Sequence, residues 1–170
     1  SDQEMQLIKN SGGVVQIVGF PTYIRPLSQA TQDKLNALRA RFDLQPLQGL
    51  EMALMPGDPV ITVWSEQRFG EYASELYAIV DEEPKATLKD YGDAIDYAVK
   101  KIGIDHVGIS SDFNDGGGLD GWKDVSEGRN VTAELLSRGY SEADIAKLWG
   151  GNFLRVWDQV QQSSRPVAKH

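Results

Sequence analysis

Two short runs of mainly apolar residues most constrain what this chain can fold into. The first is GVVQIVGF, Gly13 to Phe20, and the second is DHVGISSD, Asp105 to Asp112. The first run is β-branched and almost wholly apolar, which is the pattern of a parallel strand buried on both faces. Helical patterns precede and follow both runs. This order of elements predicts an α/β protein with a parallel sheet.

Helical segments fill most of the remaining chain. The predicted capping residues are Ser1 or Asp2, Thr87 with Asp90, Ser141 with Asp144, and Asn152 before the last helix. Residues 28–42 and the segment from Ser65 carry apolar side chains at helical spacing. Asp43 to Pro59 is broken by prolines and glycines, which predicts an irregular connection.

Two parallel strands do not make a stable sheet alone, because their outer edges stay unpaired. We therefore predict that the chain is part of a larger fold. The alternative on composition is a mainly helical domain with one small sheet.

Composition excludes several function classes. The net charge is −8, and lysines and arginines are scattered among the acids, so we expect no nucleic-acid partner and no attraction to an anionic membrane. The absence of cysteine excludes thiolate metal sites, disulfides and cysteine nucleophiles, and it suits cytoplasm and periplasm alike. The sequence has neither an apolar run long enough to span a bilayer nor a charged-then-apolar leader.

Asp112, at the end of the second predicted strand, is the leading candidate for a functional residue. In (β/α) barrels the active site lies at the carboxyl ends of the strands, so an acid there faces the pocket. The glycine-rich loop after Asp112 permits close approach of a substrate. The alternative is that Asp112 only caps the following turn. Asp115, Asp120 and Asp124 are predicted to be solvated surface acids.

Longer segments resemble a known family. The strand ending in SDF, the helix pair TAELLSRGYSEADIAKLWGGNFLRV and the segment NSGGVVQIVGFPTYI closely resemble the membrane (renal-type) dipeptidases, zinc peptidases of the amidohydrolase superfamily. The resemblance covers nearly the whole chain and is weakest across residues 28–83, an excursion associated with bacterial members. In one departure, Asn114 separates Phe113 from Asp115 and Gly116, where the family often has Asp-Gly directly after the phenylalanine.

The resemblance implies that residues 1–170 are the carboxyl-terminal part of a (β/α)8 TIM-type barrel. The helical excursion, about 28–83, is then expected outside the barrel wall, near its mouth or at a subunit contact. The family's binuclear zinc site uses a His-x-Asp pair, a bridging glutamate and two later histidines, which are not found here. The chain has His106, within the second predicted strand and interpreted as structural, and the terminal His170. We expect the zinc ligands mainly outside this chain and the chain alone to be inactive.

Roles for two residues also come from the resemblance. Asp112 is expected to accept a proton from the attacking water, pass it to the departing amine and bind the amino group of a dipeptide. Tyr23 matches a substrate-site tyrosine, and its alternative is an aromatic residue packing on the barrel rim. Trp122 is predicted either to form a pocket wall or to pack at the surface.

The expected partners are the amino-terminal half of the same protein, a dipeptide substrate and further copies in a homo-oligomer. A bacterial periplasmic or membrane-associated location is favoured over the cytoplasm. Two alternatives stay open at this point. One is an amidohydrolase that acts on another dipeptide-like amide, and the other is a non-catalytic helical binding domain.

Overall fold

The computed structural model describes residues 1–47 and 63–163. These residues divide between two compact units, one formed by Ser1–Ile24 with 86–163 and the other by 25–47 with 63–85. The first unit contains α1 (Asp2–Asn10), β1 (Val15–Val18), α2 (Pro21–Ile24), α5 (Leu88–Ile102), β2 (Val107–Ser110), α6 (Gly128–Ser137), α7 (Glu142–Ala146) and α8 (Asn152–Ser163). The second contains α3 (Gln29–Arg41) and α4 (Glu66–Asp81).

β1 and β2 form a two-stranded parallel sheet in which Val15 pairs with Val107 and Val18 with Ser110. The predicted parallel pairing of these strands is therefore confirmed. The described chain is a mixed α/β structure, mostly helical, with this one small sheet. Because the strands are parallel, the loops that follow them begin at the same edge.

The two faces of the sheet differ in what covers them. Alternate strand residues pack into the helical core of the first unit, namely Val15, Ile17, Val107 and Ile109. On the opposite face the Gln16 side chain lies across the neighbouring strand, where a Cβ on Gly108 would stand 2.4 Å from Gln16 Oε1. All four residues of β1 stay partly exposed. The prediction that the first strand is buried on both faces is therefore wrong for the described chain, since the core packs on one side of a two-stranded sheet.

Local capping signals give the helix bounds. Ser1 and Thr87 each form a capping box at the start of α1 and α5. Gly103, in the left-handed half of backbone space at φ 87°, ends α5 where the chain turns toward β2. The predicted caps at Ser1, Thr87 and Ser141 are confirmed.

Polar contacts from the buried Tyr91 and the partly buried Arg138 join α5 to the sheet and to α6. The Tyr91 hydroxyl donates to the Ile17 carbonyl over 2.7 Å, and burial raises the pKa of this phenol. Arg138, just after α6, bonds Asp93 at 2.8 Å and Asp96 at 2.6 Å on α5, and Glu134 at 2.7 Å on α6. These bonds hold α5 between the sheet and α6.

Two predicted positions need correction. His106 lies in a 3-10 turn, Ile104–His106, before β2 rather than within a strand, and its Nδ1–H donates to the Gly13 carbonyl over 2.8 Å. Asn152 has helical backbone angles and continues a π-helical segment, Lys147–Gly151, into α8, so it does not cap the last helix. Its Nδ2 instead donates to the carbonyls of Ile104 at 2.7 Å and Val107 at 2.8 Å. The Asn152 side chain therefore forms tertiary hydrogen bonds and does not serve as an N-cap.

The second unit has its own core. The helices predicted for residues 28–42 and from Ser65 are confirmed as α3 and α4, and the structure shows that Ser28 and Ser65 cap them. Phe42 and Trp64 pack around the buried Tyr72, with ring centroids 5.2–5.5 Å apart. The predicted irregular connection, Asp43 to Pro59, falls mainly outside the described residues. The location of the excursion relative to a barrel stays a prediction.

Among residues 1–47 and 63–163, no helix has both the length and the apolar character needed to cross a membrane.

Candidate functional site at the carboxyl ends of the strands

Asp112 lies two residues beyond β2, at the edge predicted for it. Its backbone is left-handed, with φ 60° and ψ 28°. Aspartate tolerates this region better than most residues, yet such a conformation costs roughly 1–3 kcal/mol and persists only where neighbouring structure imposes it. The strained backbone marks Asp112 as a candidate for function.

The glycine loop holds the backbone of Asp112 in place. Its carbonyl accepts hydrogen bonds from the N–H groups of Asp115 at 3.0 Å and Gly117 at 2.8 Å. Gly117 packs so tightly on this turn that a Cβ would lie 2.1 Å from the Ser111 carbonyl oxygen. A side chain at 117 is therefore incompatible with the observed loop.

The Asp112 carboxylate is half-buried and caps nothing. No described residue forms a hydrogen bond or ion pair with it. The alternative that Asp112 serves only as a turn cap is therefore wrong, because a cap needs its side-chain oxygen on a backbone N–H. The carboxylate is available for chemistry at the sheet edge.

Tyr23 lies on α2, immediately after β1, and is 54% exposed. Its ring packs on Phe20 at a centroid distance of 4.8 Å. The N–H of Gly118, in the loop that follows Asp112, donates to the Gly19 carbonyl over 2.9 Å. The structure thus brings the loops that carry Tyr23 and Asp112 together at one edge of the sheet.

Trp122 is 2% exposed, so it packs neither at the surface nor as an open pocket wall. Its ring lies 5.3 Å from those of Tyr91 and Phe113 and 6.0 Å from that of Trp149. Both predicted positions for Trp122 are wrong, because the loop folds inward and inserts the indole beneath the site. The support that Tyr91 and Trp122 give to this edge was not predicted from the sequence, although Tyr91 shares the helical spacing of the buried Ile95 and Ala98.

The other loop acids are exposed, as predicted, at Asp115, Asp120 and Asp124. Asp124 accepts hydrogen bonds from the Ser126 hydroxyl at 2.6 Å and its N–H at 2.8 Å, and these bonds lower the pKa of its carboxyl group. Its role is to cap a 3-10 turn, Val125–Glu127.

Within the part of the chain that the structure describes, no three His, Asp or Glu side chains form a group suited to a metal ion. His106 faces the Gly13 carbonyl, near the amino end of the sheet and away from Asp112. His170 lies outside the described residues. The described side chains therefore do not by themselves fit a zinc site.

The sequence model of the membrane dipeptidase family, peptidase family M19, matches residues 1–170. The chain belongs to the membrane dipeptidase family. Among solved structures, it is similar to the probable dipeptidase PvdM from Pseudomonas aeruginosa, with 77% sequence identity and a TM-score of 0.79. That similarity covers 96% of this chain and 41% of the PvdM chain.

Curated relatives match shorter stretches of the dipeptidase-family chain. Dipeptidase aclJ from Aspergillus oryzae is 39% identical over 93 residues, which are 54% of this chain and 22% of aclJ. Dipeptidase verJ from Clonostachys rogersoniana is 44% identical over 82 residues, covering 46% of this chain and 20% of verJ. The matched residues thus span about a fifth of the length of these relatives.

Proposed function

We propose that this chain is the carboxyl-terminal part of a (β/α)8 barrel enzyme that hydrolyses dipeptides, with Asp112 as the general base. Family membership supports the reaction class. The observation that carries the proposal is the Asp112 carboxylate, half-buried on a left-handed backbone at the carboxyl edge of parallel strands and free of hydrogen bonds from the described residues. Active sites of barrel enzymes lie at this edge.

The proposed chemistry is the addition of water to an amide. Asp112 takes a proton from water as the water oxygen bonds to the amide carbon. It then donates that proton to the amine nitrogen as the carbon–nitrogen bond breaks, so the products are two amino acids and the carboxylate is regenerated. A group with this role contributes about 10²–10⁴-fold to a rate. Tyr23 is the proposed substrate-site partner on the adjacent loop.

We further propose that the enzyme uses a binuclear zinc site whose ligands lie in an amino-terminal part of the same protein. Three observations support an active site shared with such a part. The described residues hold no ligand group, the sheet has unpaired edges, and the chain spans 41% of PvdM. In the same proposal the protein forms a homo-oligomer located in the periplasm or at a membrane.

An activity screen of the full-length protein tests the reaction. It should release free amino acids from a panel of L,L and L,D dipeptides, and metal analysis should find about two zinc ions per polypeptide. The isolated 170-residue chain should release none. Hydrolysis of lactams or N-acyl amino acids, with dipeptides left intact, would favour the amidohydrolase alternative. A folded protein inert toward every amide would favour the helical binding domain.

A further inference from the structure

We propose that Trp122 is a positioning residue that sets the spacing between the two loops carrying Tyr23 and Asp112. This inference rests on the proposed function. It starts from the fact that a single buried indole touches both loops at their bases.

One contact is with the loop after β1. Gly19 follows the last residue of that strand, and a Cβ at position 19 would lie 3.0 Å from Trp122 Cζ3. The backbone of the β1 loop therefore rests directly on the benzo ring of the indole. α2, which carries Tyr23, begins two residues later.

The second contact is with the loop after β2. Phe113 directly follows Asp112, and its ring meets Trp122 edge-on, with centroids 5.3 Å apart and planes at 74°. Any shift of the indole moves Phe113, and with it the left-handed backbone that aims the Asp112 carboxylate.

Contacts on its other side hold Trp122 in place. The Trp122 backbone N–H donates to the Leu119 carbonyl over 2.9 Å, and the Trp122 carbonyl accepts a 2.9 Å hydrogen bond from the Leu119 N–H. Its ring packs on Tyr91, whose hydroxyl is bonded to the Ile17 carbonyl of β1. Trp122 thus links the sheet, through Tyr91, to the loops that contain Gly19 and Phe113. Displacement of a reacting group by about 1 Å costs on the order of a hundredfold in rate, so this support has a kinetic consequence.

Kinetics of the full-length protein test the inference. Trp122→Phe removes the benzo ring beneath Gly19 and should lower kcat about tenfold to a hundredfold, with a smaller change in KM. Gly19→Ala places a methyl group against the same ring and should lower kcat similarly. The double variant should recover part of the loss, because the smaller ring makes room for the methyl group. Trp149→Phe is the matched control, since Trp149 lies in the π-helical segment Lys147–Gly151 and meets the Trp122 ring edge-on at 6.0 Å; its kcat should equal that of the wild type.

The outcomes separate the inference from the proposed function. If Asp112→Asn lowers kcat by about two to four orders of magnitude while Trp122→Phe and Gly19→Ala keep wild-type kcat, the positioning role is overturned and the proposed function stands. A wild-type protein that hydrolyses no dipeptide overturns both. A lower thermal midpoint with unchanged kcat, or additive losses in the double variant, reduces Trp122 to a core residue. If Trp122→Phe does not fold, the kcat of Gly19→Ala tests the inference alone: a lowered kcat supports the positioning role, and a wild-type kcat overturns it.

Discussion

The carbonyl of Gly19, just after β1, accepts a 2.9 Å hydrogen bond from the N–H of Gly118, in the loop after β2. This bond joins the loop before Tyr23 to the loop after Asp112. This hydrogen bond couples the two loops at the carboxyl edge of the sheet. A substitution that shifts one loop is therefore expected to change the positions of both Tyr23 and Asp112.

Replacing Asp112 by Asn tests the proposed base. Asn keeps the size and tolerates the left-handed backbone but accepts no proton, so kcat of the full-length protein should fall by about two to four orders of magnitude. The thermal midpoint should hardly change. Near-normal kcat with metal retained would exclude the catalytic role, and loss of metal would recast Asp112 as a ligand.

Two further substitutions at 112 separate backbone strain from chemistry. Asp112→Gly should be as stable as the wild type, since glycine adopts φ 60° without steric cost. Asp112→Ala should lose about 1–2 kcal/mol of unfolding free energy. Both should be inactive. Chemical denaturation gives the comparison, and equal stability of the two variants would contradict a strained backbone.

A substitution at Asn152 tests whether this side chain caps α8 or donates hydrogen bonds to distant backbone carbonyls. As an N-cap, Asn would be replaceable by Asp at little cost. In the structure it is 3% exposed and donates two hydrogen bonds to carbonyls, so Asp would set an acceptor-only carboxylate against Ile104 and Val107. Asn152→Asp should therefore lose about 3 kcal/mol or more of unfolding free energy. A thermal midpoint equal to that of the wild type would restore the cap interpretation.

Arg138 should make stability depend on acid pH. Its hydrogen bond lowers the pKa of the Asp93 carboxyl group, against a smaller opposing effect of burial. A carboxyl whose pKa is lowered by folding stabilises above its unfolded pKa, about 4, and that contribution is lost as pH falls through the folded value. Arg138→Met should thus be less stable than the wild type by about 1–3 kcal/mol at pH 7, with the difference shrinking below about pH 4.

The control for Arg138 is Arg41→Met in the second unit. Arg41 pairs with Glu75 at 2.8 Å, but both side chains are largely exposed and screened by solvent, so the loss at pH 7 should be much smaller than that of Arg138→Met. Urea denaturation at a series of pH values measures both variants. A wild-type-minus-Arg138→Met difference that is constant from pH 7 to pH 3 would refute the pairing.

Gly117→Ala should disturb the loop that holds Asp112. The added Cβ, 2.1 Å from the Ser111 carbonyl oxygen, should cost about 1–3 kcal/mol of unfolding free energy and reduce turnover. Gly70→Ala in α4 is the matched control, because no atom lies within 4 Å of its Cβ position. It should gain about 0.5–1 kcal/mol, as expected for an exposed helix interior. Differential scanning calorimetry and dipeptide hydrolysis measure the pair.

The sequence by itself determined the elements whose signals are local. Thr87 and Asp90 form the cap of α5 from three residues apart, and β1 and β2 follow directly from their apolar runs. The position of Asp112 at the end of a strand was also predicted from the sequence, because the strand and the glycine-rich loop are adjacent in the chain. Such features depend on interactions within a few residues, which composition and spacing encode.

Only the tertiary structure decided the roles of residues whose partners are distant in the chain. Asn152 has a cap sequence, yet its carbonyl partner Val107 is 45 residues away and fixes the side chain in the core. The sequence predicts that Trp122 lies in a loop, at a pocket wall or at the surface. In the structure this loop folds inward and buries Trp122 against Tyr91 and Phe113. Burying an indole and satisfying buried carbonyls stabilises the fold more than local capping does, and which groups are buried depends on how distant segments pack.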